Sequence, residues 1–291
     1  MAILGRIVKG VGGLYTVDLG DKKINALARK SVKYTSGNIL IGDFVEVEKE
    51  GESFAIAKIA ERKNSLQRPP VANINCAFLL ISKTPEPDFY LIDKMLVSLS
   101  MKNIDVYVII TKADLGMEEI YDRAVKDYKN HVKDVLLISS KVEEDVNKVK
   151  ELMQGKLSCL IGQSAVGKSS LTNALDVKAR FEVGELSKKI NRGKQTTRHS
   201  EIVELSPLTY VMDTPGFSFF DLDIPPDELK KHYFDFNEYS QDCKFRSCNH
   251  VDEPDCAVKH AVEKGLISKE RYERYLELYK ELKDKWRKKY G

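Results

Sequence analysis

The stretch Gly162-Gln163-Ser164-Ala165-Val166-Gly167-Lys168-Ser169 constrains this chain more than any other. It has the form G-x-x-x-x-G-K-[ST], follows the apolar run Leu157 to Ile161 and opens a helix-like stretch, which is the context in which this pattern wraps phosphate. The glycines let backbone N–H groups close around an anion, and the helix N-terminus adds the positive end of its dipole. Lys168 would reach the β- and γ-phosphates and stabilise charge developing there, and Ser169 would bind magnesium. Gln163 to Val166 and Ser170 complete the expected phosphate-binding set. The plainer reading, a chance glycine-rich turn, is disfavoured by the flanking strand and helix.

Such a loop belongs to an α/β sheet, and the surrounding pattern agrees. Strand-like runs at 76–82, 105–110, 134–138 and 157–161 alternate with helix-like stretches at about 89–101, 117–130, 142–153 and 168–176. That rhythm predicts a parallel sheet covered by helices on both faces. Two more strands are expected near 200–205 and 208–213. The second of them leads into Asp213-Thr-Pro-Gly216. There a carboxylate can hold a magnesium-bound water, and Gly216 lets a backbone amide sense a γ-phosphate. Thr111-Lys112-Ala-Asp114 follows the 105–110 strand. A carboxylate at that place can accept from N1–H and the N2 amine of guanine, a donor pair that adenine lacks. Ser139-Ser140-Lys141, after the 134–138 strand, would support the same base. The four-letter motifs are weak alone and gain weight from their positions at strand ends.

The first 64 residues alternate in the strand manner, with Tyr15, Val17 and Leu19 on one parity, between glycine-bearing turns. A small barrel of the oligonucleotide-binding type fits this length, as do other small barrels. Asn64 to Pro70 reads as a linker, because Pro69 and Pro70 oppose regular structure. After Pro225 the α/β rhythm stops. Cys243-x4-Cys248-x-His250-x5-Cys256 then supplies three thiolates and an imidazole, a complete tetrahedral shell for one structural zinc. The other two of the five cysteines, Cys76 and Cys159, lie in apolar runs and read as core residues. A last helix is expected at 268–288, with Tyr272, Tyr275, Leu276, Tyr279, Leu282 and Trp286 as its packing stripe. No run approaches the roughly 20 apolar residues of a membrane span, and Met1 to Ile7 does not read as a signal peptide, so a cytoplasmic, membrane-free protein is expected. The net charge of +3 decides nothing; the basic runs Lys188–Arg198 and Lys285–Lys289 could face nucleic acid or simply water.

These elements resemble the signature motifs of Ras-like GTPases, in an unusual order. The base-reading motifs at 111–114 and 139–141 precede the phosphate loop, which makes this a circular permutation. With a barrel in front and a zinc cluster behind, the chain resembles the ribosome small-subunit-dependent GTPases, called RsgA or YjeQ in bacteria. The resemblance covers nearly the whole chain. It implies a barrel over 1–66, a permuted P-loop GTPase domain over 67–224 and a helical zinc domain over 225–291. It also implies GTP and GDP as ligands, Mg²⁺ held by Ser169 and Thr197, a switch I including Thr196 and Thr197, and His199 as a catalytic group beside Lys168. The small ribosomal subunit and its rRNA would be the partners of a monomer acting in late subunit maturation. Three departures stand out: Thr111 for the usual asparagine, which weakens one contact expected near the base, Ser140 for alanine, and Ala165 for a frequent glycine. Two rivals remain. One is a zinc-dependent RNA-binding regulator that senses guanine nucleotide with little turnover. The other is a P-loop ATPase or small-molecule kinase, which Asp114 disfavours.

Overall fold

Short strands separated by tight turns can hide their apolar parity only by closing on one another. The computed structural model describes residues 2–30, 32, 38–67, 70–175, 202–213 and 222–290. In it β1 (Ile3–Val11), β2 (Leu14–Asp18), β3 (Lys23–Ala28), β4 (Phe44–Glu50) and β5 (Ser53–Ile59) form a closed barrel of order β1-β2-β3-β5-β4. All neighbours are antiparallel except β3 and β5, which run parallel. A five-stranded barrel with this pairing is of the oligonucleotide-binding kind. Its interior is filled by Ile7, Val17, Ala26, Val45, Val47 and Ile56, none more than 1% exposed.

The expected linker is structured. β6 (Ser65–Gln67) pairs antiparallel with β7 (Pro70–Ala72) in a two-stranded sheet. Pro70 is tolerated because it opens its strand, where a missing N–H costs least. The Val71 backbone bridges Ile41, and Asn73 donates to the Gly42 carbonyl at 3.1 Å, so this hairpin is tied to the barrel's own chain.

Beyond it run β8 (Cys76–Ile81), α1 (Phe89–Ser100), β9 (Asp105–Ile110), α2 (Glu118–Tyr128), β10 (Asp134–Leu137), α3 (Glu143–Met153), β11 (Leu157–Ile161), α4 (Lys168–Leu175), β12 (Val203–Ser206) and β13 (Thr209–Asp213). Every strand and helix expected between 76 and 213 is present. A 3-10 helix (Pro226–His232), α5 (Phe234–Ser240), α6 (Ala257–Glu263) and α7 (Lys269–Tyr290) complete the chain.

Proximity in space gathers the chain into two units. The first comprises residues 1–78, 139–161 and 167–217. It holds the barrel, the hairpin and a strand order β8-β11-β13-β12, in which β11 and β13 are parallel and β12 is antiparallel. Within this unit Tyr210 of β13 hydrogen-bonds Asp18 of β2, the Arg6 guanidinium lies 4.5 Å from the Phe44 ring centre and 5.8 Å from that of Tyr210, and Lys23 pairs with Glu204. The second unit comprises 79–138, 162–166 and 218–291. It carries the order β10-β9-β8, with β9 and β10 parallel, and the whole C-terminal segment. β8 and β11 are buried along their full length, as strands covered on both faces must be. Cys76 and Cys159 sit in them, each 1% exposed, as core residues.

α7 buries Tyr275, Leu278 and Leu282, with Tyr272, Leu276 and Tyr279 partly buried against the same core. Trp286 packs instead on Tyr290, ring centres 4.4 Å apart. Two positions the apolar stripe omits, Arg271 and Arg274, are buried on this helix as well.

Candidate nucleotide and metal sites

Residues 162–167 turn the chain from β11 into α4. Gly162, Ala165 and Gly167 all have positive φ, at 136°, 65° and 106°. A Cβ at Gly162 would lie 2.4 Å from the Leu80 carbonyl oxygen, so only glycine fits where the loop leaves the sheet. Ala165 holds the left-handed conformation without that freedom, at a cost of roughly 1–2 kcal/mol. Thr111 and Lys112, just past the end of β9, supply the brace. Lys112 Nζ donates to the Ala165 carbonyl at 3.0 Å and to the Thr84 carbonyl at 2.8 Å. The Thr111 hydroxyl, buried, donates to the Val166 carbonyl at 2.5 Å. The sequence suggests that threonine at 111 weakens a contact near the base; in the structure its hydroxyl holds the 162–167 loop through the Val166 carbonyl.

α4 opens at Lys168, which is 9% exposed, while Ser169 and Ser170 are exposed on its first turn. Gln163 is half-buried, Ser164 exposed and Val166 buried, so the loop points its small polar members outward and anchors itself by an apolar one. Asp114, an exposed residue, sits on a 3-10 turn (Ala113–Leu115) just past β9; the turn is held by Ala113 N–H donating to Ile138 O at 3.0 Å. Ser139 is buried, Ser140 half-buried and Lys141 exposed in the turn after β10. Asp213 is the last residue of β13. Thr196, Thr197, His199, Gly216 and Phe217 lie outside the described residues, as does the basic run 188–198.

The C-terminal cluster brings together all four expected ligands. The ligating atoms of Cys243, Cys248, His250 and Cys256 lie within 4.8 Å of one another. Cys243 Sγ is 3.6 Å from His250 Nδ1 and 3.9 Å from Cys256 Sγ, and His250 Nδ1 is 3.4 Å from Cys256 Sγ. Bond lengths of about 2.3 Å to sulfur and about 2.05 Å to nitrogen at tetrahedral angles require separations of about 3.8 and about 3.6 Å, so the donor set fits zinc. Burial, with Lys230 nearby, lowers His250 to about 4, which leaves its imidazole neutral and able to ligate. Burial raises the Cys248 thiol to about 12, and the backbone hydrogen bond from His250 only partly opposes it, so a bound cation would be what favours the thiolate there. The loop is tied from outside: Glu253 accepts from Asn249 N–H and Val251 N–H at 2.8 and 2.9 Å, and Tyr272 and Tyr275 hydroxyls donate to the carbonyls of His250 and Asn249 at 2.7 and 2.6 Å.

Residues 59–223 match the model of the RsgA GTPase family. The chain is 40% identical over 296 residues to the small ribosomal subunit biogenesis GTPase RsgA of Caldanaerobacter subterraneus subsp. tengcongensis, covering 99% of this chain and 98% of that protein. A Staphylococcus aureus protein of the same name is 38% identical and covers 97% of this chain. The chain belongs to the RsgA GTPase family. Among solved structures, YjeQ from Thermotoga maritima superposes with a TM-score of 0.81 at 33% identity, covering 97% of this chain and 99% of that one. YloQ, described as a circularly permuted GTPase, gives 0.80 at 34%, covering 98% and 96%. The permuted motif order is therefore a property of this RsgA-family chain, and its mixed α/β fold with a closed barrel is shared with both structures.

One feature of this RsgA-family chain has no signal in its motifs. Arg271 of α7 donates to Asp93 of α1 at 2.7 Å and to Asp235 of α5 at 2.7 Å, while Arg274 donates to Asp93 at 2.6 Å and to Asp127 of α2 at 2.9 Å. His131 Nδ1 lies 3.2 Å from the same Asp235. Burial would raise Asp235, but the Arg271 charge and the His131 and Arg271 hydrogen bonds hold it well below the usual carboxylate range. The residues come from four helices and one turn, so their meeting cannot be read from any local spacing.

Proposed function

We propose that this chain hydrolyses GTP to GDP and phosphate under stimulation by the small ribosomal subunit, and that it serves late maturation of that subunit in the cytoplasm. The observation that carries the reading is the braced phosphate loop, whose positive-φ turn opens α4 at the buried Lys168 while Lys112 and Thr111 clamp it from the base motif. Asp114 selects guanine and the 139–141 turn supports the same base. Lys168 stabilises charge developing on the β–γ bridge. Ser169 and Thr197 are the residues that would hold Mg²⁺, whose chemistry when bound is to neutralise phosphate charge, with Asp213 and Gly216 reading the γ-phosphate side. One zinc, held by Cys243, Cys248, His250 and Cys256, fixes the C-terminal segment. The barrel and the zinc segment grip rRNA through Lys and Arg on phosphate; the relatives' names support the small ribosomal subunit as the particle bound. The divisions 1–66, 67–224 and 225–291 follow these three roles, on a monomer.

A second reading has one observation in its favour. Phe217 stands where many GTPases have the glutamine that orients the attacking water, and phenylalanine offers neither donor nor acceptor. That suits a zinc-dependent RNA-binding regulator that senses guanine nucleotide with little turnover. GTP turnover with and without purified small ribosomal subunits separates the two. A rise on the order of a thousandfold supports the enzyme; a rate that stays at the unstimulated level supports the sensor.

A further inference from the structure

The turn after β10 consumes nearly all of its own backbone donors. Ser139 N–H donates to the Asp145 carboxylate at 2.9 Å, Lys141 N–H to Ser139 Oγ at 3.3 Å, and Val142 N–H to the Ser139 carbonyl at 3.1 Å. The Ser140 N–H, between them, has no hydrogen-bond partner among the described residues. Asp145 lies in the first turn of α3, with its side chain 19% exposed and Lys148 Nζ at 3.7 Å. A carboxylate in a helix's first turn ordinarily serves its own helix end. Here it reaches back past Val142, the residue preceding α3, to Ser139, and so fixes the turn outside the helix.

We infer that Asp145 is a positioning residue for nucleotide specificity: by holding Ser139 N–H it fixes the turn so that the Ser140 N–H alone is presented outward, to a carbonyl acceptor on the base. Guanine carries such an acceptor at its 6-position, and adenine has a donor there. Asp145 touches no ligand; it acts through the turn. The inference rests on the reading of residues 139–141 as base-contacting.

Equilibrium titration of the full-length protein with two ligands tests it. GDP carries the 6-oxygen; the diphosphate of 2-aminopurine riboside lacks it and the N1 proton that Asp114 would accept, and keeps the 2-amino group, the sugar and the phosphates, so the change that Asp145 variants make in the gap between the two ligands is the reading. The parent should bind GDP on the order of a hundredfold more tightly than the analogue, the worth of the contact at the 6-position together with the N1–H contact to the Asp114 carboxylate. Asp145→Ala should weaken GDP by about tenfold and the analogue by less than about threefold, so that the gap between them narrows. Asp145→Asn keeps an oxygen acceptor and should stay within about threefold of the parent for GDP. Asp145→Ser suits the first turn of a helix but falls short of Ser139 N–H, and repeats the alanine result in a variant that folds should alanine not. Equal weakening of both ligands, or of neither, in the alanine and serine variants overturns the inference. A parent that binds both ligands equally overturns instead the base-reading role of residues 139–141.

Discussion

At the residue scale, backbone conformation and single contacts decide what each position tolerates. Gly162 is fixed by the Leu80 carbonyl: Gly162→Ala places a methyl 2.4 Å from that oxygen at φ 136°. Nucleotide titration of this variant should show loss of GTP and GDP alike, and binding at the parent's affinity would contradict the steric argument. Asp114→Asn should exchange the ligand preferred. Asparagine presents a donor to the N2 position, where xanthine has a carbonyl acceptor and guanine an amine. Two hydrogen bonds to a charged group, at roughly 1.5–3 kcal/mol each, set the loss of GTP affinity at a hundredfold order or more. Xanthosine triphosphate should be gained in its place. A variant that still binds GTP as tightly as the parent would remove Asp114 from the pocket.

The helices and the metal loop answer to different forces. Arg271 is 1% exposed and bridges Asp93 and Asp235. Arg271→Ala leaves both carboxylates buried without that partner, and breaking a buried network this way costs roughly 3–5 kcal/mol, read as a fall in the urea midpoint. His131 adds a pH dependence. Burial lowers its pKa, Arg271 of α7 lowers it further, and Asp235 of α5 and Asp93 of α1 oppose without prevailing. The unfolded chain then binds a proton that the folded one refuses, so stability falls as pH drops below about 6.5 towards the folded pKa and recovers above it. His131→Asn should flatten the urea midpoint between pH 7 and 5.5 relative to the parent; an unchanged slope would assign it to other groups. For the metal loop, Cys248→Ala should lose zinc by metal analysis and leave the chain after Pro225 open to protease, because ligand binding there is folding free energy. Stoichiometric zinc in a variant lacking both Cys243 and Cys248 would refute the ligand set.

For the whole molecule, the consequence of Phe217 is that a water-positioning group must come from elsewhere. His199, just past Thr196-Thr197, is the proposed group. His199→Ala should keep GTP affinity and binding to the small subunit and lose most of the stimulated turnover. Full stimulated turnover in that variant would exclude His199, whereas absence of stimulation in the parent would exclude the ribosomal role itself.

The glycine-rich turn between β11 and α4, the grouping of three cysteines with one histidine and the order of strands and helices from 76 to 213 are legible in the sequence, because each depends on neighbours a few residues away or on a period. Backbone amides cradle phosphate only where glycines allow it, and alternation or helical spacing records which face is buried. The strap of β6 and β7 reads as a linker in the sequence, since proline composition says nothing about a partner strand. The brace of Thr111 and Lys112 on Val166 and Ala165, the reach of Asp145 to Ser139 and the buried charges around Arg271 came only with the tertiary structure. Each of these joins side chains to groups that no spacing rule connects, and a charged residue on a helix looks the same in sequence whether it faces water or an aspartate from another helix.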